Sequence, residues 1–176
     1  MNSDIVDSCR CPKDYVSHST FGFVLDTEMV ARIVSSSHIG KNGVKASVIP
    51  NAHLRESGLS LFRMGYLAKA QFDSLAFAIS ASIPPGTSTT VGVILASASE
   101  LRGFLDESGR PSICLFDEPT IGAGDFPENP AHAVAIAAEE YADDEIIKIK
   151  TELLAGVFGQ LIPLNKLAHP VADGLQ

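Results

Sequence analysis

Residues 90 to 96, Thr-Val-Gly-Val-Ile-Leu-Ala, are apolar at consecutive rather than alternating positions. In a strand successive side chains point to opposite faces, so such a segment is satisfied only where both faces are covered. The fold therefore needs apolar layers above and below at least one strand. Ser97-Ala-Ser-Glu100 follows directly and has the spacing of a capping box, in which the serine hydroxyl and the glutamate carboxylate each satisfy a free backbone N–H at a helix start. Leu101, Phe104 and Leu105 give that helix a buried side, Gly109 and Pro111 close the segment, and Ser112 to Phe116 is a second apolar strand. A strand–helix–strand unit results. If its strands are parallel neighbours, a ligand is expected near their carboxyl ends, at Ala96-Ser97 and Phe116-Asp117-Glu118.

Other segments supply the rest of an α/β or α+β domain. Phe21 to Leu25 reads as a strand, and Met29, Val30, Ile33 and Val34 recur at helical spacing behind a possible cap at Asp26. Leu59 to Arg63 reads as a short strand, and Phe72, Leu75, Ala76 and Ile79 mark one side of a helix that stops before Pro84-Pro85-Gly86. Ile146, Ile149, Leu153, Leu154, Val157, Phe158 and Leu161 mark a long amphipathic helix that opens on Asp143, Asp144 and Glu145, where the helix dipole favours acids. Asn129-Pro130 either caps an alanine-rich helix or precedes a strand in which His132, Val134 and Ile136 share one face. This predicts a small mixed sheet from strands near 21, 59, 91, 113 and 132, with helices near 28, 70, 98 and 146. Residues 1–20 read as a loose arm, 21–162 as one globular domain and 163–176 as a tail.

With 176 residues, 45% apolar and 19% charged, the chain can bury a core without staples. Cys9, Cys11 and Cys114 are odd in number, and the first two sit too close for an unstrained bridge in an extended segment. A reduced, cytoplasmic setting is expected, with Cys114 a small hydrophobe in a strand. The first residues carry acids where a signal peptide needs lysines, and no apolar run reaches the length of a membrane span. No membrane association is expected.

Net charge is −8, unevenly spread. Lys41, Lys45, Arg55, Arg63 and Lys69 face only Glu56 in one stretch, whereas twelve acids between Glu100 and Glu145 face Arg102 and Arg110. An acidic chain without a concentrated basic face is a poor binder of duplex nucleic acid, and none is expected as a partner.

The residues that carry chemistry are few. His38, His53, Asp117, Glu118 and His132 lack metal-ligand spacing, so no metal is expected, and no motif calls for a cofactor. Cys9-Arg-Cys11 lacks the two-residue spacer of a redox pair. Gly40, Gly43, Gly122 and Gly124 are too sparse for a phosphate loop. Ser60, Ser97 and Ser99 are possible nucleophiles with His132 as base, but Ser97 is accounted for by capping. The catalytic candidates are His132, Arg63 and Ser60, and the ligand-binding candidates are His38, Lys45 and Asp117. In the sharper version Arg63 and Lys45 hold an anionic group while His132 moves a proton. In the plainer one Arg63 pairs with the acidic loop 117–128 and His132 hydrogen-bonds a backbone carbonyl.

Ala31-Arg32-Ile33, His38, Gly58-Leu-Ser-Leu-Phe-Arg63, Val91-Gly-Val-Ile-Leu-Ala-Ser-Ala-Ser-Glu-Leu-Arg102 and Glu128-Asn-Pro-Ala-His-Ala133 together resemble a family of small uncharacterised bacterial proteins. Those proteins share a Gly-Leu-Ser-x-x-Arg segment and an Asn-Pro-x-His-Ala segment that runs into a strand. The resemblance covers residues 30–140 and implies a shared fold, with 131–136 a strand, rather than an activity. The basic stretch Lys41 to Lys45 and the helix from Asp143 depart from it. Because the chain carries no self-sufficient catalytic motif, the expected function is that of a cytosolic bacterial accessory protein that works through a protein partner, encoded beside it in an operon, with the long helix as one docking surface. The alternative is a small enzyme or binding protein for an anionic or nucleotide-like molecule, centred on His132 and Arg63.

Overall fold

The computed structural model describes residue 11, residues 14–124 and residues 126–168; Cys9, most of the expected arm before residue 14 and the tail beyond 168 lie outside the described residues. The chain forms an α+β domain around one six-stranded sheet. Its strands are β1 (Met29–Ser35), β4 (Leu59–Arg63), β5 (Thr90–Ser97), β6 (Ile113–Asp117), β7 (His132–Ala137) and β8 (Ile162–Pro163), in the order β6-β7-β4-β1-β5-β8. Every pairing in it is antiparallel. A separate hairpin pairs β2 (Ile39–Gly40) with β3 (Gly43–Val44), turning where Gly40, Asn42 and Gly43 predict a turn. The helices are α1 (Lys69–Ser82), α2 (Ala98–Arg102) and α3 (Asp143–Gly156).

The two-faced burial anticipated for residues 90–96 is present, because β5 sends Ile94 and Ala96 into one core cluster and Val93 into the other. The first cluster lies under α2 and α3, where Leu101, Ile146, Ile149 and Leu153 meet Val30, Val34, Leu59, Leu61 and Ala133. The second lies under α1, where Phe72, Leu75 and Ala76 meet Ala31, Ile33 and Phe62. Gly92 in β5 is required by close approach: a Cβ there would stand 2.4 Å from the Ile162 carbonyl oxygen of β8.

Residues 29–35 form the strand β1 where helical spacing predicts a helix. A strand buried on both faces explains the spacing: Val30 and Val34 enter one core while Ala31 and Ile33 enter the other, so four apolar positions mimic an i, i+3, i+4 stripe. The β-branched side chains then favour the extended form. Residues 21–25 are not a strand. Gly22 has φ +71°, and Phe23 and Leu25 are about half exposed. The two strands of the strand–helix–strand unit, β5 and β6, run in the same direction but are separated by three others, so they are not neighbours. Residues 132–137 are a strand.

The apolar stripe of α3 is spent on its own domain, with Ile146 and Leu153 almost fully buried and Ile147 half exposed on the other side. That removes the docking role expected of this helix. No helix among the described residues is long and apolar enough to cross a membrane. A second correction concerns the cysteines. Cys11 and Cys114 are joined in a disulfide, with Cα atoms 5.4 Å apart, so neither is the free thiol expected. The sequence argument excluded only a bridge between neighbours, and the fold brings together residues 103 apart. Residues 14–20, expected as a loose arm, carry hydrogen bonds to Asp117.

Candidate functional site

Ser60 and His132 lie on adjacent strands of the sheet. In the β4–β7 register Phe62 faces His132 and Ser60 faces Val134, which makes Ser60 and His132 diagonal neighbours on one face. Their side chains meet: Ser60 Oγ is 2.6 Å from His132 Nε2. The other ring nitrogen, Nδ1, lies 2.6 Å from the Glu118 carbonyl oxygen. A carbonyl only accepts, so Nδ1 carries the proton, and in the neutral ring Nε2 is the acceptor for the Ser60 hydroxyl.

The backbone reinforces this orientation. Glu118 N–H donates to the His132 carbonyl at 3.0 Å, so a single residue holds both the main chain and the ring of His132. The Glu118 carboxylate is exposed, with Oε2 3.9 Å from Nδ1. Burial pushes the imidazole below its ordinary 6.5; the carbonyl and charge of Glu118 pull it back up, less strongly, and the Arg32 charge adds to the lowering. The ring is therefore neutral at pH 7. The arrangement matches the first two members of a nucleophile–base–orienter series.

Arg63 is placed elsewhere. It pairs with Val30, whose side chain enters the core on the α3 side, whereas Ser60 shares its face with Phe62 under α1. The guanidinium is fully buried: Nε and Nη2 each donate to the Glu28 carboxylate at 2.7 Å, Nη1 donates to the Gly22 carbonyl at 2.8 Å and Nη2 to the Phe23 carbonyl at 3.1 Å. Its carbon sits 4.6 Å from the centre of the Tyr66 ring. Burial opposes its charge, but the bonds and charge of Glu28, with smaller contributions from Tyr66 and Asp117, more than offset this and raise its pKa. Four of its five N–H donors are spent within the protein and the guanidinium is fully buried, so Arg63 is not presented to a substrate. It pairs with Glu28 and not with the acidic loop 117–128, because the segment 22–28 reaches the end of β4 first.

His38 and Lys45 are at the far end of β1. His38 follows Ser35 and accepts from its backbone N–H at 3.4 Å, and Lys45 Nζ donates to the Ser37 carbonyl at 3.1 Å. From Val30, opposite Arg63, to Ser35 is five residues, about 17 Å of strand. The expected cleft of Arg63, Lys45 and His132 does not assemble.

Asp117 is buried beneath the N-terminal segment and not offered to a ligand. Its Oδ2 accepts from Ser17 Oγ at 2.9 Å, His18 N–H at 3.0 Å and Ser19 N–H at 2.8 Å, and the Tyr15 hydroxyl donates to its carbonyl. Burial and the Asp117 charge push the Tyr15 phenol up to about 12. Ser97 caps α2 as the sequence requires, accepting from Glu100 N–H at 3.2 Å. Among the described residues no group of His, Cys, Asp or Glu is arranged to hold a metal ion.

Sequence reasoning missed Glu28 and Tyr15, and it placed Glu118 at the strand end where a ligand is expected and among the metal-ligand candidates, but not as the partner of His132. The recoverable signal was the position of Glu118, directly after the strand expected to end at the site. Nothing local marked Glu28 as the partner of Arg63, 35 positions away. Two clefts, of 410 and 830 Å³, lie near Tyr141 and the start of α3, and neither is lined by Ser60 or His132. No family model, no curated protein and no solved structure matches this chain.

Proposed function

We propose that the protein is a small serine-dependent acyl-transfer enzyme in which Ser60 is the nucleophile, His132 the general base and Glu118 the group that orients the base. The observation that carries this is the 2.6 Å contact from Ser60 Oγ to a histidine nitrogen whose tautomer is set by the Glu118 carbonyl. The Ser60 oxygen attacks a substrate carbonyl as its proton passes to Nε2. The resulting imidazolium keeps Nδ1–H on Glu118, gains from the carboxylate 3.9 Å away, and returns the proton to the leaving group. Water then releases the acyl group by the same route in reverse. Arg63 takes no part.

The test is labelling with a fluorophosphonate probe followed by peptide mapping. The adduct is expected on Ser60, absent in Ser60→Ala and formed at least ~100-fold more slowly in His132→Gln, the lower end of what a positioned base contributes. Labelling that is unchanged in His132→Gln, or that falls on another serine, overturns the proposal.

A second reading, a binding protein that works through a protein partner, is favoured by Phe21, Phe23, Leu25 and Met29, which are 37 to 54% exposed within nine positions. In that case Phe23→Ser with Leu25→Ser abolishes partner binding in the native host and leaves Ser60 labelling intact. Loss of neither counts against it.

A further inference from the structure

The Cys11–Cys114 disulfide joins the N-terminal segment to β6, the strand that leads into Glu118. Cys114 is in β6, three residues before Asp117, and is almost fully buried; Cys11 is less so. Between Cys11 and β1 the chain crosses the end of β6. There the Tyr15 ring packs against Phe116, tilted by 42° with centres 5.1 Å apart, and its hydroxyl bonds the Asp117 carbonyl, while residues 17–19 bond one oxygen of the Asp117 carboxylate. Ser19 Oγ also donates to the Pro130 carbonyl at 2.8 Å, two residues before His132. The next residue after Asp117 is Glu118, which fixes both the backbone and the ring of His132.

We infer that the Cys11–Cys114 disulfide is a redox-sensitive latch that acts through Asp117, a positioning residue, to hold Glu118 against His132. The inference rests on the acyl-transfer reading for its consequence, though not for its geometry. Closed, the N-terminal segment lies across Phe116 and Asp117, and the Glu118 carbonyl stays on Nδ1. Opening needs a dithiol reductant. Its thiolate attacks the more accessible sulfur of Cys11 and expels the Cys114 thiolate, which takes up a proton. The reductant's second thiol then displaces Cys11 from the mixed disulfide, so two electrons and two protons pass to the protein and the reductant leaves as a disulfide. The segment is then held without a covalent tie, by its hydrogen bonds and by ring contacts such as Tyr15 on Phe116. A reducing cytosolic pool favours the open form and an oxidising compartment the closed one.

The full-length chain is compared with and without dithiothreitol, the bond being followed by alkylation of Cys11 and Cys114. On reduction the Tyr15 phenol, near 12 when latched, moves toward the ordinary 10, the His132 ring moves up toward 6.5 as its burial is relieved, and fluorophosphonate labelling of Ser60 slows at least 10-fold. Cys11→Ser reproduces these shifts without reductant, and Asp117→Ala reproduces them in the oxidised chain. Leu153→Ala, which opens a void under α3, destabilises the protein without moving either ring. Should Asp117→Ala fail to fold, Cys11→Ser decides the matter. Complete reduction with Tyr15 and His132 unmoved overturns the latch. An intact Tyr15 and His132 response with no Ser60 adduct in any form sinks the acyl-transfer reading alone.

Discussion

Removing the carboxylate of Glu28 should destabilise the fold more than removing the whole Glu28–Arg63 pair. In Glu28→Ala the Arg63 guanidinium stays fully buried and loses two of the four hydrogen bonds it makes among the described residues, both to a carboxylate. Breaking one half of a buried ion pair costs about 3–5 kcal/mol, because the surviving charge is left desolvated and unpaired. At roughly 2–4 °C per kcal/mol for a chain of this length, Tm falls by about 6–20 °C. Arg63→Met strands the Glu28 carboxylate, 8% exposed, and should cost a similar amount.

The double variant Glu28→Met with Arg63→Met removes both charges and refills the space with flexible apolar side chains. Such replacements are often close to neutral. The Gly22 and Phe23 carbonyls lose their donor, but Phe23 is half exposed and water can serve it. The double variant is thus expected within about 2 kcal/mol of the parent, a coupling of several kcal/mol in a double-mutant cycle read from urea midpoints at constant slope. Additive single effects refute the pair as described. The same proteins decide what Arg63 is for: Ser60 labelling per folded molecule should change little in the double variant. If labelling disappears while stability holds, Arg63 belongs to the chemistry and the structural assignment is wrong.

Reducing the disulfide frees a loop of about a hundred residues, for which chain entropy alone gives roughly 4–5 kcal/mol, so the urea midpoint of Cys11→Ser should match that of the reduced parent and lie well below the oxidised one. Burial also lowers His38, His53 and His132 below their ordinary 6.5. Because the unfolded chain binds these protons more readily, stability is complete above pH 6.5 and is lost as pH falls from there through the folded values; a stability profile flat between pH 7 and 5 contradicts this. The acid limb of Ser60 labelling should fall below pH 6.5 for the same ring, and a limb above it excludes His132 as the base.

Local pattern made the layered fold legible, and long-range pairing hid the rest. The consecutive apolar run of β5, the Ser97–Glu100 cap and the stripe of α3 are decided by neighbours within four residues; the first two are present, and the stripe holds from Ile146 to Leu154, the helix ending at Gly156 before Val157, Phe158 and Leu161. β1 was misread because burial on both faces of a strand and on one face of a helix can select the same positions; only the second core cluster, assembled by α1 some 40 residues later, separates them. Ser60 is one of three serines that the sequence offers to His132 as base, and its contact with that ring depends on the β4–β7 register, which no local signal specifies. Arg63 shows the reverse error. Its type and position suggested anion binding, but a carboxylate 35 residues upstream had already claimed it.

Ser60 and Arg63 occupy one strand and face opposite sides, and this explains why one segment of chain bears on both. Beside its contacts with Arg102 and Pro130, the stretch from Cys11 to Glu28 has three fastenings that bear on this: to Cys114 covalently, to Asp117 by three hydrogen bonds to one oxygen, and to Arg63 by a carboxylate and two carbonyls. Each fastening shortens the free chain available to the next, and a shorter tether raises the effective concentration of the remaining contacts. The three are therefore not independent. Loss of Glu28 should cost more in the reduced protein than in the oxidised one, since the disulfide otherwise keeps residues 15–19 close to Asp117. The Arg63 fastening then bears on how firmly this segment is held and not on the Ser60–His132 contact, which lies on the other face of the sheet.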